Sequence, residues 1–491
     1  MPPGSIRWTR WPDNERPPVA AFPHTRTMNR DARLLPFALT LLTLATLGGC
    51  ATYRGEPVAP AVQQPSAFQQ AQGGQVGETR PSPWWLEMND PVLVRLIDDA
   101  LARNNNLAQA TVRVRRAQLV AGTAASNQLP TVSVRASTQG SRQLDGEGNL
   151  VKTSALTGSV SWELDLWGRL AATRQAAEWE ASATTQDRLA TAQALVATTA
   201  RTYWQVAYLN QRVAASQASI DYARQTLKLV DAQARAGAAS GLEVAQARQT
   251  VAALEASHTQ WLQQRVEARN ALAILFDGPP GVPMDESQLL PEGTLPEVPA
   301  GLPASLLTRR PDVLAADLRL RSAFATVDAT RAAAYPVLTL TGSVGRTTTA
   351  LSNVLIDPVG TLGAGLTLPF VQWRDVRRNT AISQADYELT VLSYRQTWYT
   401  ALSEVENALS ARRQYEEQGA RLAEAVEAAR QAERLSEIRY RSGAVPLKTW
   451  LDAQETRRAA ENNLALNRYN RLSALATLYQ VLGGDMGRAG V

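Results

Sequence analysis

The chain has 491 residues, 45% of them hydrophobic, with 50 basic and 45 acidic side chains and a formal net charge of +5. That is enough apolar material for a large core, and a small charge spread as alternating signs excludes a dedicated nucleic-acid binder, which concentrates Lys and Arg on one face. One Cys and two His exclude an internal disulfide and a Cys-cluster metal site, and leave too few imidazoles for a His-based metal site or a Cys/His catalytic pair.

Residues 1–27 are rich in Pro, Arg and Trp and carry no foldable pattern. They read as a mis-called extension, with Met28 as the true start. A short basic segment from Met28 leads into an apolar run, Leu34 to Leu47, of signal-peptide length and too short to span a bilayer as a stable helix. The run ends Leu47-Gly48-Gly49-Cys50. Small residues before a lone Cys, with Leu three positions upstream, match a lipoprotein signal-peptidase site. Residues 28–49 are then the signal peptide, and Cys50 is the lipidated first residue of a lipid-anchored N-terminal extension, 50–85. Position 51 is Ala rather than Asp, which by the sorting rule for such signals favours the outer membrane. Acyl chains contribute roughly 0.8 kcal/mol per buried methylene, so a multiply acylated Cys50 anchors stably. The plainer alternative is an uncleaved N-terminal anchor with an incidental Cys.

The rest of the chain is a duplication. Pro130 matches Pro336, Trp167 matches Trp373 and Gly237 matches Gly443, each pair 206 residues apart. The copy ends also match, Ala271 to Phe276 against Ala474 to Tyr479, after a small gap. The first repeat is read as 86–276 and the second as 306–485, joined by a Pro/Gly-rich linker, 277–305, and followed by a tail, 486–491.

Each copy runs helix, strand, strand, very long helix, helix. The first helix opens at Asn89-Asp90-Pro91, an N-cap acid with Pro at the first helical position, and a further helical stretch ends near Gln128. Val132, Val134 and Ala136 mark a strand. Leu156 to Leu166 alternates: Leu156, Gly158, Val160, Trp162, Leu164 and Leu166 face one way, with Ser, Thr, Glu and Asp on the other. The second copy repeats this with Leu338, Leu340, Gly342 and Val344, then Leu362, Ala364, Leu366, Leu368 and Phe370. The length suits a membrane-spanning strand. The pattern alone fits both a soluble sandwich and a barrel wall with lipid on its apolar face. Four strands cannot close a barrel, since single-chain barrels start at about eight, so either the sheet is soluble or several protomers pool their strands. Trp162, Trp167, Phe370 and Trp373 at the strand ends suit an interfacial girdle or buried sheet-end packing.

From Arg169 to Ala236 there is no Pro or Gly, and from Asp375 to Ser442 only Gly419 interrupts. At 1.5 Å per residue each stretch makes a helix about 100 Å long, and neither contains the 18 apolar residues a bilayer span needs. Both turn sharply, at Gly237–Gly241 and Gly443–Pro446. The bland reading is a soluble antiparallel coiled coil; beside membrane-type strands the helices read as a tube continuing a barrel. No phosphate loop and no Gly-x-Ser-x-Gly occurs. Asp98-Asp99 and Glu416-Glu417 lie on helical stretches as solvated faces. No catalytic site, metal or cofactor is expected.

The order of short motifs resembles the TolC-like outer-membrane efflux family, in its lipid-anchored NodT/OprM-type branch. They are Trp84-Trp85-Leu86-Glu87-Met88-Asn89-Asp90-Pro91, Glu163-Leu164-Asp165-Leu166-Trp167-Gly168-Arg169, Arg309-Arg310-Pro311-Asp312-Val313, Pro336 to Ser343, Leu451-Asp452-Ala453-Gln454 and Leu478 to Gly484. They cover essentially the whole chain from Cys50 to about Asp485. Met88 departs from the usual aromatic, and Pro446, Lys448 and Thr449 stand in a tip that is more polar or acidic in many members. The resemblance implies an α+β membrane protein: a homotrimer whose protomers give four strands each to a twelve-stranded outer-membrane barrel, continued by a long periplasmic α-helical barrel. It implies a passive exit duct for small molecules such as drugs and toxic compounds. Tips at Gly237, Ala238, Gly443 and Ala444 would meet a periplasmic adaptor on an inner-membrane pump of the RND type. It puts Asp452 at the channel gate, as an acidic ring selecting against anions, with Tyr440 and Arg441 as gate or adaptor contacts. The alternatives are the exit duct of a type I protein secretion system, and a periplasmic coiled-coil lipoprotein without a channel.

Overall fold

The computed structural model describes residues 62–63, 65, 68–70, 83–142, 149–293, 295–296, 304–349 and 355–484. Cys50, the signal peptide, the leading extension and the tail lie outside them.

Local chemistry sets the helix boundaries. Helix α1, Pro91–Arg103, is capped by the Asp90 side chain, which accepts from the Val92 and Leu93 amides at 3.0 and 3.1 Å. Its buried Leu93, Leu96, Ile97 and Ala100 fall at one helical face. Asn104 ends α1 and starts α2, Asn105–Ser126, accepting from Asn106 N and Leu107 N while donating to Leu275 O at 3.0 Å. The hairpin β1, Thr131–Ser141, and β2, Val151–Leu164, then feeds α3, Arg169–Arg235, and its return helix α4, Gly241–Ile274. The second copy gives α5, Pro311–Ala332, β3, Val337–Thr348, β4, Val359–Thr367, α6, Trp373–Arg441, and α7, Leu447–Val481.

The 206-residue offset recurs in the element bounds: Asn105 to Pro311, Thr131 to Val337, Arg235 to Arg441 and Gly241 to Leu447. Among the described residues, a short 3-10 turn, Ala304–Arg309, precedes α5. The long helices are continuous over 67 and 69 residues, about 100 Å each. Gly419 does not break α6: it is where α6 meets α7, and a Cβ there would stand 2.7 Å from Asn467 Oδ1.

Two apolar clusters hold the middle of the long helices. In the first, Trp84, Trp85, Leu93 and Ile97 pack on Val196, Ala200 and Trp204 of α3, Leu272 of α4, and Leu472 and Ala476 of α7. Trp84 stacks on Tyr479 with centroids 5.3 Å apart. In the second, Leu307 and Val313 pack on Trp398, Ala401 and Val405 of α6 and on Leu475 and Leu478 of α7. Helix α7 therefore serves both clusters with different faces.

Arg310, just before α5, joins the second cluster to its neighbours. Its side chain is 8% exposed and pairs with Asp312 at 2.6 Å and Glu404 of α6 at 2.7 Å. It also donates to Val481 O, at the end of α7, at 3.1 Å. Removing one partner of a buried pair costs roughly 3–5 kcal/mol. Here both carboxylates reach water, so Arg310→Met is expected to cost about 3 kcal/mol, the low end of that range. The expected result is a lower melting midpoint in the helical dichroism; an unchanged midpoint would remove Arg310 from this role.

Candidate functional site: sheet, joint and helical tip

The four strands form one antiparallel sheet in the order β1-β2-β3-β4. The register pairs Val132 with Val160, Val160 with Gly342, and Gly342 with Leu362, so alternation puts Val132, Val160, Trp162, Leu340, Leu362 and Leu366 on one face. That face is open: Val132 is 71% exposed and Leu362 92%. The opposite face carries Ser133, Ser159, Thr341 and Ser343, with Ser133 and Ser159 bonded at 2.8 Å. Gly345 of β3 sits so close to β2 that a Cβ would strike the Leu156 carbonyl and Thr157. Each hairpin pairs internally and with the other copy through β2 and β3. Among the described residues the outer edges of β1 and β4 have no strand partner.

Two strand limits differ from the sequence pattern. Strand β2 starts at Val151 and stops at Leu164, because Asp165 turns to cap α3, accepting from Leu170 N at 3.0 Å and Ala171 N at 2.7 Å. Strand β4 stops at Thr367, so Leu368 and Phe370 leave the sheet. Pro369 has no amide for a ladder and opens a 3-10 turn, Pro369–Gln372, instead. The aromatics form the joint between sheet and helices. Trp162 Nε1 donates to Gln128 O at 3.0 Å, Trp167 Nε1 donates to Pro336 O at 2.8 Å, and Trp167 stacks on Tyr335. Phe370 and Trp373 point to the open, at 51% and 59% exposed.

At the far end both long helices stop on a left-handed glycine, Gly237 at φ 76° and Gly443 at φ 73°. The amides of Ala238 and Ala444 reach back to Gln233 O and Arg439 O, both at 2.8 Å, the glycine-terminated turn that needs no Cβ. Gly237, Ala238, Gly443 and Ala444 are all exposed. The two hairpins are brought together here: Val230 of α3, Ala247 of α4, Tyr440 of α6, and Leu447 and Trp450 of α7 share one small core. Tyr440 OH donates to Gln233 Oε1 at 2.7 Å, tying α6 to α3. Arg441 pairs with Glu437 at 2.6 Å, and Tyr222 OH donates to Glu437 Oε2 at 3.4 Å.

Asp452 is exposed on α7, and Lys448 holds both its oxygens at 2.8 Å. The carboxylate thus carries a counter-charge one helical turn away. Lys448 was readable as a departure in the tip sequence, and its i,i+4 spacing to Asp452 is an ion-pair spacing. Gln233 and Tyr222, by contrast, carry no sequence signal as partners. Among the described residues no group of three or more His, Cys, Asp or Glu could hold a metal, and no helix is long and apolar enough to cross a membrane.

The family model described as "Outer membrane efflux protein" matches residues 96–276 and 302–484. The chain belongs to the outer membrane efflux protein family. It is 32% identical over 475 residues to the pyoverdine export outer membrane protein OpmQ of Pseudomonas putida, covering 93% of this chain and 98% of that one. It is also 32% identical to the toluene efflux pump outer membrane protein TtgC of Pseudomonas putida, over 91% of this chain and 95% of the relative. Among solved structures it is similar to the outer-membrane channel OprN, with TM-score 0.78, 26% identity, and coverage of 87% of this chain and 99% of that chain. As a member of the outer membrane efflux protein family, this chain is an outer-membrane exit channel of an efflux system.

Tyr222 is a half-buried phenol at the tip of this channel protein. Burial first, then the nearby Glu437 and Glu433 carboxylates, push its phenol up from 10.0 to about 12, against a smaller opposing pull from Arg457. The fold thus favours the neutral phenol. This contribution is complete below pH 10 and is lost as pH rises through 12. Melts at pH 9 and 11 should separate for the native protein and separate less for Tyr222→Phe; equal separation in both would remove Tyr222 as a cause.

Proposed function

We propose that three copies of the chain pool their sheets into one twelve-stranded outer-membrane barrel and that the long helices continue it as a periplasmic tube. The open sheet carries this reading. A sheet whose two outer edges are unpaired among the described residues and whose apolar face is largely exposed is unstable in water and impossible in lipid, where each backbone group must be paired. Joining β4 of one copy to β1 of the next satisfies every edge, puts Leu362 and Val132 against lipid, and turns the Ser/Thr face to a wet lumen. Residues 86–276 and 306–485 are then two repeats of one wall unit. Cys50, as the lipidated first mature residue, adds an anchor in the same membrane. The duct does no chemistry on its cargo and has no catalytic residues.

The exposed tips at Gly237, Ala238, Gly443 and Ala444 are the meeting points for a periplasmic adaptor, behind which an inner-membrane pump of the proton-coupled RND type drives export. The pyoverdine and toluene named for the relatives support small molecules as cargo. In bilayers the purified protein should give single-channel steps and should migrate as a trimer in mild detergent until heated. A monomer without conductance would overturn the reading.

Asp452, with Tyr440 and Arg441 behind it, is the gate. Three Lys448–Asp452 pairs around one axis make a mixed ring, which discriminates less between cations and anions than a bare acidic ring does. Removing Lys448 should therefore raise selectivity for cations, and removing Asp452 should shift it toward anions. Reversal potentials of Lys448→Gln and Asp452→Asn channels under a salt gradient should move in opposite directions. Identical potentials for both variants would place the pair outside the conducting path.

A further inference from the structure

Residues of α3, α4, α6 and α7 line a cavity of about 1250 Å³. Six basic side chains and five carboxylates line it. Each of the five carboxylates has a basic partner: Asp452 has Lys448, Glu455 has Arg458, Glu292 has Arg468, Glu427 has Arg430, and Glu461 has Arg430 and Arg457. Arg212 of α3 is the exception. It is 6% exposed, and among the described residues no carboxylate pairs with it and no acceptor takes a hydrogen bond from it; its Nε is buried without a partner. The Trp261 ring lies 4.2 Å from its Cζ. That contact covers one face of the guanidinium, whereas the N–H donors lie in its plane, and with Nε buried the terminal N–H groups are the ones left to an incoming acceptor. Burial pushes the Arg212 pKa down, with the Tyr208 phenol opposing, the direction for a cation with no anion beside it. A buried charge is ordinarily paired, because leaving water without a partner is costly.

We propose that this cavity binds a small organic monocarboxylate, its carboxylate on the in-plane donors of Arg212 and its apolar body along Trp261 and Ala215. The charge count selects a single negative charge, since only one cation is unmatched. The five carboxylates in the walls select against an acidic polypeptide, which would meet repulsion along its length. A planar guanidinium takes a carboxylate on two parallel donors, which a compact ammonium cannot do, and the stacked indole gives an apolar or aromatic body its contact surface.

The test is calorimetric titration of the purified full chain in detergent with benzoate, octanoate and acetate. It reads binding rather than conductance, so its failure is distinct from failure of the channel assignment. Benzoate and octanoate are expected to bind at one site per chain at least tenfold more tightly than acetate, and to raise the melting midpoint. Arg212→Gln should weaken binding tenfold or more and abolish that midpoint shift, Arg212→Lys should retain part of it, and Trp261→Leu should weaken benzoate more than acetate. Should Arg212→Gln not fold, the Lys and Leu variants carry the same comparison. No binding to the native chain, equal binding by the Arg212 variants, or Arg212-dependent binding of a polyglutamate helix in preference to benzoate would each overturn the proposal.

Discussion

The outer edges of β1 and β4 dominate this structure. Each is a row of backbone donors and acceptors that no strand among the described residues satisfies, since the sheet ends at both. Water could solvate those edges, but the same sheet exposes Val132, Leu340, Leu362 and Leu366 on one face, which water does not favour. Lipid would accept that face and forbid the edges. The proposed pairing of the edges with further copies of the same strands meets both demands.

The helices meet a different constraint. A helix of 67 residues with few large apolar side chains gains little from its own surface, so its position is fixed locally. Wide packing occurs in the middle, where Trp204 and Trp398 anchor the two clusters, and again in the small tip core around Trp450. Between them polar contacts take over, such as Arg224 with Glu255 and Ser216 with His258. The cavity containing Arg212 lies in this sparsely packed stretch.

Much of the fold was legible because few signals were needed. A Pro-free, Gly-free run states a long helix, Gly237 and Gly443 state its end, and a repeated offset states the duplication. The strand limits were less legible where capping or polar residues override alternation. Lys152 and Ser154 occupy positions in phase with Leu156, so the pattern hides the start of β2, and pairing of Val151 with Ser141 reveals it. At the other end Asp165 continues the alternation on paper but is drawn away to cap α3. The tip residues were legible by motif, their partners were not: sequence places Tyr440 before the turn without indicating Gln233. Arg212 was beyond reach, because a sequence rich in arginines and glutamates does not say which arginine is left over.

The two tips are close copies with different fastenings. The first return helix starts with a reciprocal cap, Ser240 and Glu243 each bonded to the other's backbone, whereas the second starts at Pro446 with no side-chain cap. A capping side chain is worth about 0.5–2 kcal/mol, a local contribution that α4 has and α7 lacks. The first turn of α7 is held instead from the side, by Leu447 and Trp450 buried in the tip core. One blueprint has thus been fastened twice by different means, a polar clasp on the first copy and an apolar rivet on the second.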